Sequence, residues 1–186
     1  MRAGFTIMEV LIATGLLSIL AGALIVGIFN VEKNMRQVES VTTLNVLRMT
    51  ILSHLQNDWS WKATVNALSN TDMICIKNQT SCAAQPQRPF KLHDAAGNLV
   101  YDASIATNGF ATNGELCNTY NDSTGNDTCA YRAELTWQPD CAAPCIPSGL
   151  VKISVTLKYN PQTSNLIKIL SNQHYNIEVA RKAVAP

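Results

Sequence analysis

Apolar residues run almost unbroken from Phe5 to Phe29, and Glu9 is the one ionisable side chain in that stretch. About 25 residues at a rise of about 1.5 Å each cover a hydrocarbon core of about 30 Å, so the pattern predicts a membrane-crossing helix. The run exceeds the apolar region of about 7–15 residues found in a secretory signal peptide, and its polar leader, Met1 to Gly4, is very short. After Phe29 the composition turns polar, yet no glycine or proline falls between Gly27 and Pro86. Val31, Met35, Val38, Val41, Leu44, Leu47, Ile51 and Leu55 recur at spacings of three and four, which places them on one helical face. One continuous helix is expected from about Phe5 to about Asp58, its first half in lipid and its second half covering a folded domain. Val46, Met49 and Leu52 widen the stripe, as packing on a sheet would require and a coiled-coil seam would not.

From about residue 73 the period changes to two. Phe90 to Asp94 and Leu99 to Asp102 flank Ala95-Ala96-Gly97-Asn98, the pattern of a hairpin. Tyr131, Ala133, Leu135 and Trp137 alternate with polar residues. So do Val151, Ile153, Val155, Leu157 and Tyr159, giving antiparallel strands with one buried face. Asn160-Pro161-Gln162 turns the chain toward a last extended region near Leu166 to Leu170 and Tyr175 to Val179. A helix followed by antiparallel strands predicts an α+β fold: the second half of a long N-terminal helix packs on the sheet, and disulfide-linked loops join the strands. The expected divisions are a leader at 1–4, a transmembrane half-helix at 5–30, an amphipathic half-helix at 31–58 and a sheet domain at 59–186.

Six cysteines, Cys75, Cys82, Cys117, Cys129, Cys141 and Cys145, all follow the apolar segment. An even count downstream of an anchor reads as disulfides in an oxidising compartment, and this puts the C-terminal part outside the cytoplasm. The spacings lack the paired C-x2-C knuckles of structural zinc. Closeness along the chain favours Cys75–Cys82, Cys117–Cys129 and Cys141–Cys145 among the fifteen possible connectivities.

Net charge is +1 with 15% charged residues, and the longest basic run is Arg181-Lys182, so nucleic acid is not an expected partner. No catalytic constellation is visible. His54, His93 and His174 are scattered, and the sequence holds no G-x-S-x-G, P-loop or dinucleotide fingerprint. Asn121, Asp122, Asn126 and Asp127 offer oxygens but not the alternation and later glutamate of a calcium loop, so they read as a polar turn. The two Asn-Gly steps in Thr107 to Gly114 also read as turns. Trp59, Trp61 and Trp137 read as core residues, the alternative being that Trp59 and Trp61 anchor the end of the long helix. No enzyme activity, cofactor or metal is expected.

Glu9 remains to be explained. A carboxylate within a membrane helix costs about 2.5–3.5 kcal/mol on insertion scales and by default marks function. It lies close enough to the interface to stay solvated, or lines a polar pathway, or pairs with a cation created by processing. A cut after Gly4 would create an α-amino group at Phe5, about one helical turn from Glu9. A neighbour shifted along the axis by about a turn would bring its own amine beside this carboxylate.

The string Gly4-Phe5-Thr6-Ile7-Met8-Glu9-Val10-Leu11-Ile12-Ala13 resembles the class III leader and N-terminal methylation motif of type IV pilins and of type II secretion pseudopilins. The resemblance is confined to the first thirty or so residues; beyond them it is one of layout. It implies cleavage between Gly4 and Phe5 by a prepilin peptidase, methylation of Phe5, and pairing of Glu9 with the N-terminal amine of an adjacent subunit, with Thr6 beside the pair. It further implies a single-pass inner-membrane protein with a periplasmic domain, drawn through an assembly platform into a filament of like subunits. Irregular, cysteine-rich loops favour a minor pilin. A minor pseudopilin and a non-polymerising, membrane-anchored binding domain are the alternatives. Many major pilins carry a proline in mid-helix; the first here is Pro86, while Gly15, Gly22 and Gly27 supply weak points.

Overall fold

The computed structural model describes residues 7–82, 88–142, 144–147, 149–162 and 176–182. The expected cleavage site at Gly4 and Phe5, Thr6, the stretch from Leu166 to Leu170, His174 and Tyr175 lie outside these residues. The chain divides into two compact units, Met1–Val41 and Thr42–Pro186. Helix α1 (Ile7–Gln56) runs unbroken for 50 residues, as the lack of a helix breaker predicts.

In the second unit the helix contributes Leu44, Leu47, Ile51 and Leu55 to the core, each no more than 5% exposed. Their three- and four-residue steps keep them on one face, and burying each side chain contributes about 1.5–3 kcal/mol. Of the expected widening of that face only Leu52 is half-buried. Val46 and Met49 are 58% and 66% exposed, because they lie round the helix from the row that meets the sheet.

Asn57 ends α1 and starts a new helix. Its extended backbone breaks the run, and its Oδ1 accepts from the Trp59 and Ser60 amides, capping α2 (Asp58–Asn66). A 3-10 turn (Thr71–Met73) and α3 (Ile74–Lys77) follow. The region around residue 73 is therefore helical, and among the described residues the first strand is the one at Arg88. Period-two matches in so short a stretch do not separate a strand from a buried helical turn. Gln79, at φ 51°, closes α3: Thr80 N donates to Cys75 O and Gln79 N to Ile76 O, the two bonds of a Schellman ending.

Among the described residues eight strands follow: β1 (Arg88–Pro89), β2 (Lys91–His93), β3 (Leu99–Asp102), β4 (Gly109–Phe110), β5 (Leu116–Cys117), β6 (Tyr131–Pro139), β7 (Leu150–Tyr159) and β8 (Asn176–Lys182). β2 and β3 form the expected hairpin, closed by Asp94, whose Oδ1 accepts from the Ala96 and Asn98 amides. The main sheet is antiparallel in the order β5-β4-β6-β7-β8, with β1 also on β6. β6 and β7 pair from Tyr131↔Tyr159 to Pro139↔Val151. Their alternation is the predicted one: Tyr131, Ala133, Leu135 and Trp137 on β6, and Val151, Ile153, Val155 and Leu157 on β7, are all buried. These residues share one core with the four leucine and isoleucine positions of α1 and with Trp61 and Phe90. The fold is thus α+β, a long helix and an antiparallel sheet joined through one apolar layer.

Two local readings are corrected. Trp61 and Trp137 are core residues, but Trp59 is 69% exposed, with the Lys62 ammonium 5.7 Å from its ring centre. Only the second Asn-Gly step is a turn: Gly114 has φ +86°. Gly109 instead opens β4, where a Cβ would lie 2.4 Å from Tyr131 O, so glycine is there for close backbone approach.

Candidate functional site

The residues with functional promise fall into two groups, one in each unit. In the first, α1 carries an 18-residue window of mean hydropathy 2.4, none of it buried. Ile7 to Phe29 spans about 35 Å at the helical rise, enough to cross a bilayer. Polar side chains within it are satisfied locally: Thr14 Oγ1 donates to Val10 O at 3.0 Å and Ser18 Oγ to Thr14 O at 2.8 Å. A hydroxyl can use the helix carbonyls in this way because it donates. Glu9 lies in the first turn of the described helix and is exposed.

In the second unit the six cysteines form the three bonds that chain proximity favours. Cα separations are 5.2 Å for Cys75–Cys82, 5.8 Å for Cys117–Cys129 and 6.2 Å for Cys141–Cys145. The Cys117–Cys129 loop is tied down beyond its disulfide. Asn160 Nδ2 donates to Asn121 O and Asp122 O, both at 2.9 Å, and Gln162 N donates to Asp127 Oδ1 at 2.8 Å. Lys158 Nζ lies 2.8 Å from Glu134 and 3.2 Å from Asp122, and the hydrogen bond to Glu134 is the main cause of its raised pKa. The oxygens of Asn121, Asp122, Asn126 and Asp127 therefore serve the loop itself: Asn121 caps Ser123 and Thr124, and Asn126 caps Thr128.

A cleft of about 380 Å³ opens beside β3 and β5, lined by Leu99, Tyr101, Asp102, Asn108, Leu116 and Cys117. Its polar groups hold one another. The Tyr101 hydroxyl donates to Asn108 O at 3.1 Å, and Asn108 Nδ2 donates to Asp102 O at 3.1 Å. The Asp102 carboxylate meets Lys91 Nζ at 3.0 Å and accepts from Ser104. Burial pushes the Asp102 pKa up, but the bonds from Ser104 and Lys91 outweigh it and leave the group below its ordinary value. Burial raises the Tyr101 phenol to about 12.

A polar arrangement absent from the sequence reading joins α2 to the hairpin. Thr64 Oγ1 accepts from His93 N at 3.0 Å, and Ser60 Oγ donates to His93 O. Asn70, 5% exposed, bonds both backbone groups of Lys91. No local pattern marks these residues, since their partners lie about twenty or thirty positions away.

The order of elements defines a class: a long, membrane-length apolar helix near the N-terminus followed by a disulfide-bonded antiparallel sheet, compatible with pilin-like architecture. No family model matches the chain, and no curated protein or solved structure matches it.

Proposed function

We propose that the protein is a structural subunit of a type IV pilus-like filament, a minor pilin held in the inner membrane by α1 until it is drawn into the fibre. One observation carries the reading: within an apolar, fully exposed helical surface, Glu9 is the only acid before Glu32, and it stands five residues after a Gly-Phe junction. After cleavage behind Gly4, the Phe5 amine of a neighbouring subunit supplies the cation that balances Glu9. Pairing matters because a lone charge in a dry interface is strongly destabilising. The apolar helices supply the fibre core, and the disulfide-bonded unit lies in the periplasm and then on the cell surface. The proposed role is structural, with no catalytic step.

Mass spectrometry of the mature N-terminus tests this. The expected chain begins at Phe5 and carries one methyl group there; a mature protein that retains Met1 to Gly4 overturns the proposal. A pseudopilin of type II secretion would share this processing. Loss of exoprotein secretion on deletion, with pili intact, would assign the chain to that machine instead.

A further inference from the structure

The two Asn-Gly steps of the chain, Asn108-Gly109 and Asn113-Gly114, share one chemistry and differ in what the fold does to it. Asparagine before glycine is prone to deamidation, because a glycine nitrogen carries no side chain in the way as it closes on the carboxamide. Asn108 is held against that reaction. It is half-buried, its Nδ2 donates to Asp102 O at 3.1 Å, its N to Ile105 O at 3.2 Å, and its carbonyl accepts from the Tyr101 hydroxyl at 3.1 Å. Gly109 is buried in β4 opposite Cys117, so its nitrogen is not free to swing toward the carboxamide.

Asn113 is exposed, in the turn between β4 and β5, strands of two residues each. Its Oδ1 accepts from Glu115 N at 3.1 Å, which folds the carboxamide back toward the Asn113–Gly114 peptide. The same N–H is aimed at the oxygen that becomes negative when the carboxamide carbon is attacked. Gly114 N is restrained by its bond to Ala111 O at 2.9 Å, in a short exposed turn of the kind that opens locally at little cost.

We infer that Asn113 is a site of spontaneous deamidation, left open and assisted by the fold, whereas the fold shuts the same reaction at Asn108. Hydroxide takes the proton of Gly114 N, and the nitrogen attacks Asn113 Cγ. The Cγ–Nδ2 bond breaks, and ammonia leaves with a proton from water, which restores the hydroxide. Gly114 N is then bonded to both carbonyl carbons of Asn113 in a cyclic imide. Water opens the imide at Cγ to give aspartate, or at the main-chain carbonyl to give isoaspartate. The net change is one water in and one ammonia out, with no oxidant or reductant.

Either product places a carboxylate where the amide stood and cancels the formal charge of +1. Isoaspartate also lengthens the main chain by one methylene inside the turn that the bond from Ala111 N to Glu115 O closes at 2.8 Å. Thr43 Oγ1, on α1, donates to Thr112 O at 2.8 Å, so the altered turn is one that the helix holds. The site thus marks the age of the protein beside a contact between helix and sheet, whether or not the chain enters a filament.

The test ages the folded full-length chain in detergent, in mildly alkaline buffer, and follows both steps at early times by peptide mass spectrometry and isoaspartyl methyltransferase labelling. Peptides digested before ageing and kept in the same buffer give the reference rates. In the folded protein Asn113 is expected to convert within about threefold of its reference rate, and Asn108 at least about tenfold more slowly than its own, because it reacts only after its segment opens. Asn113→Gln should abolish the methyltransferase signal at this turn. Protection of Asn113 as strong as that of Asn108 overturns the inference, and so does conversion of Asn108 in the folded protein at its reference rate.

Discussion

The carboxamide of Asn70 closes a ring on the backbone of Lys91: Oδ1 accepts from Lys91 N at 2.8 Å, and Nδ2 donates to Lys91 O at 2.8 Å. One side chain thus replaces a neighbouring strand for β2. The same Nδ2 also donates to Thr64 O at 2.8 Å, so Asn70 ties α2 and the hairpin together. Asn70→Ala removes the partner of Lys91 N and of Lys91 O, at about 1–3 kcal/mol for each that stays buried, and takes one of two donors from Thr64 O, which keeps Ala67 N. A loss of about 3 kcal/mol in chemical denaturation, followed by tryptophan fluorescence, is expected. Asn70→Asp keeps the acceptor but turns a charge toward two carbonyls, and should fare no better. A loss below about 0.5 kcal/mol for either would show that β2 does not depend on this ring.

Gly109 should tolerate no side chain. A Cβ there would sit 2.4 Å from Tyr131 O and 3.0 Å from Cys129 Sγ. Both obstacles are held, one in the ladder and one in a disulfide, so relief requires strand movement. Gly109→Ala is expected to destabilise the folded unit by about 1–3 kcal/mol or more. Gly15→Ala, in α1 with nothing within 4 Å of its Cβ, should cause no loss and serves as the comparison in the same measurement.

Asp102 predicts an acid-sensitive step. Its folded pKa lies below the ordinary 3.8, so its contribution to stability is complete above that value and is lost as pH falls through the folded one. Asp102→Asn removes the charge at neutral pH and should cost about 1.5–3 kcal/mol. The gap between wild type and variant should close as the solution is acidified below pH 3.8. A gap that is independent of pH would mean that Asp102 acts by shape alone.

At the alkaline end, Tyr101 works in the opposite direction. Burial raises its phenol from 10.0 to about 12, so the unfolded chain releases its proton first and stability falls across that interval. Tyr101→Phe has no proton to lose. It should be less stable than wild type at neutral pH, for want of the bond to Asn108 O, yet show a flatter decline between pH 10 and about 12. Parallel curves for the two proteins would remove this role.

Under the filament reading, Glu9→Ala should insert into the membrane as well as wild type and fail at assembly. Removing one partner of a buried ion pair costs about 3–5 kcal/mol, which corresponds to a loss of more than a hundredfold in incorporation. Glu9→Gln, close in shape but uncharged, should fail nearly as badly. The ratio of protein in sheared filaments to protein in membranes measures this, and an unchanged ratio for Glu9→Gln would sink the charge-pairing idea.

Much of the fold is legible in the chain because its cause is local. The long α1 follows from the absence of any breaker between Gly27 and Pro86. Strict alternation over Tyr131 to Trp137 and Val151 to Leu157 marks strands with one buried face, and β6 and β7 bury those residues. The disulfides follow from short spacings, since a short loop meets its own end more readily than a distant one. In the candidate assembly site, the rare coincidence of glycine, aromatic residue and intramembrane glutamate can be read without coordinates.

Other features depend on what comes from far along the chain. Periodicity says that Leu44, Val46, Leu47 and Met49 lie on a helix, but the sheet decides which of them it covers, and Val46 and Met49 stay exposed. Trp59 and Trp61 look alike in sequence; the placement of α2 buries one and leaves the other in solvent. The glycine of Asn108-Gly109 looks like a turn until Tyr131 comes up against it. The Asn70 ring exists only after the chain has closed on itself. A sequence by itself sets which residues can share a face, because that depends on neighbours three, four or two positions away. Which face is covered, and by what, is settled by contacts between distant segments, and these are formed only in the packed tertiary structure.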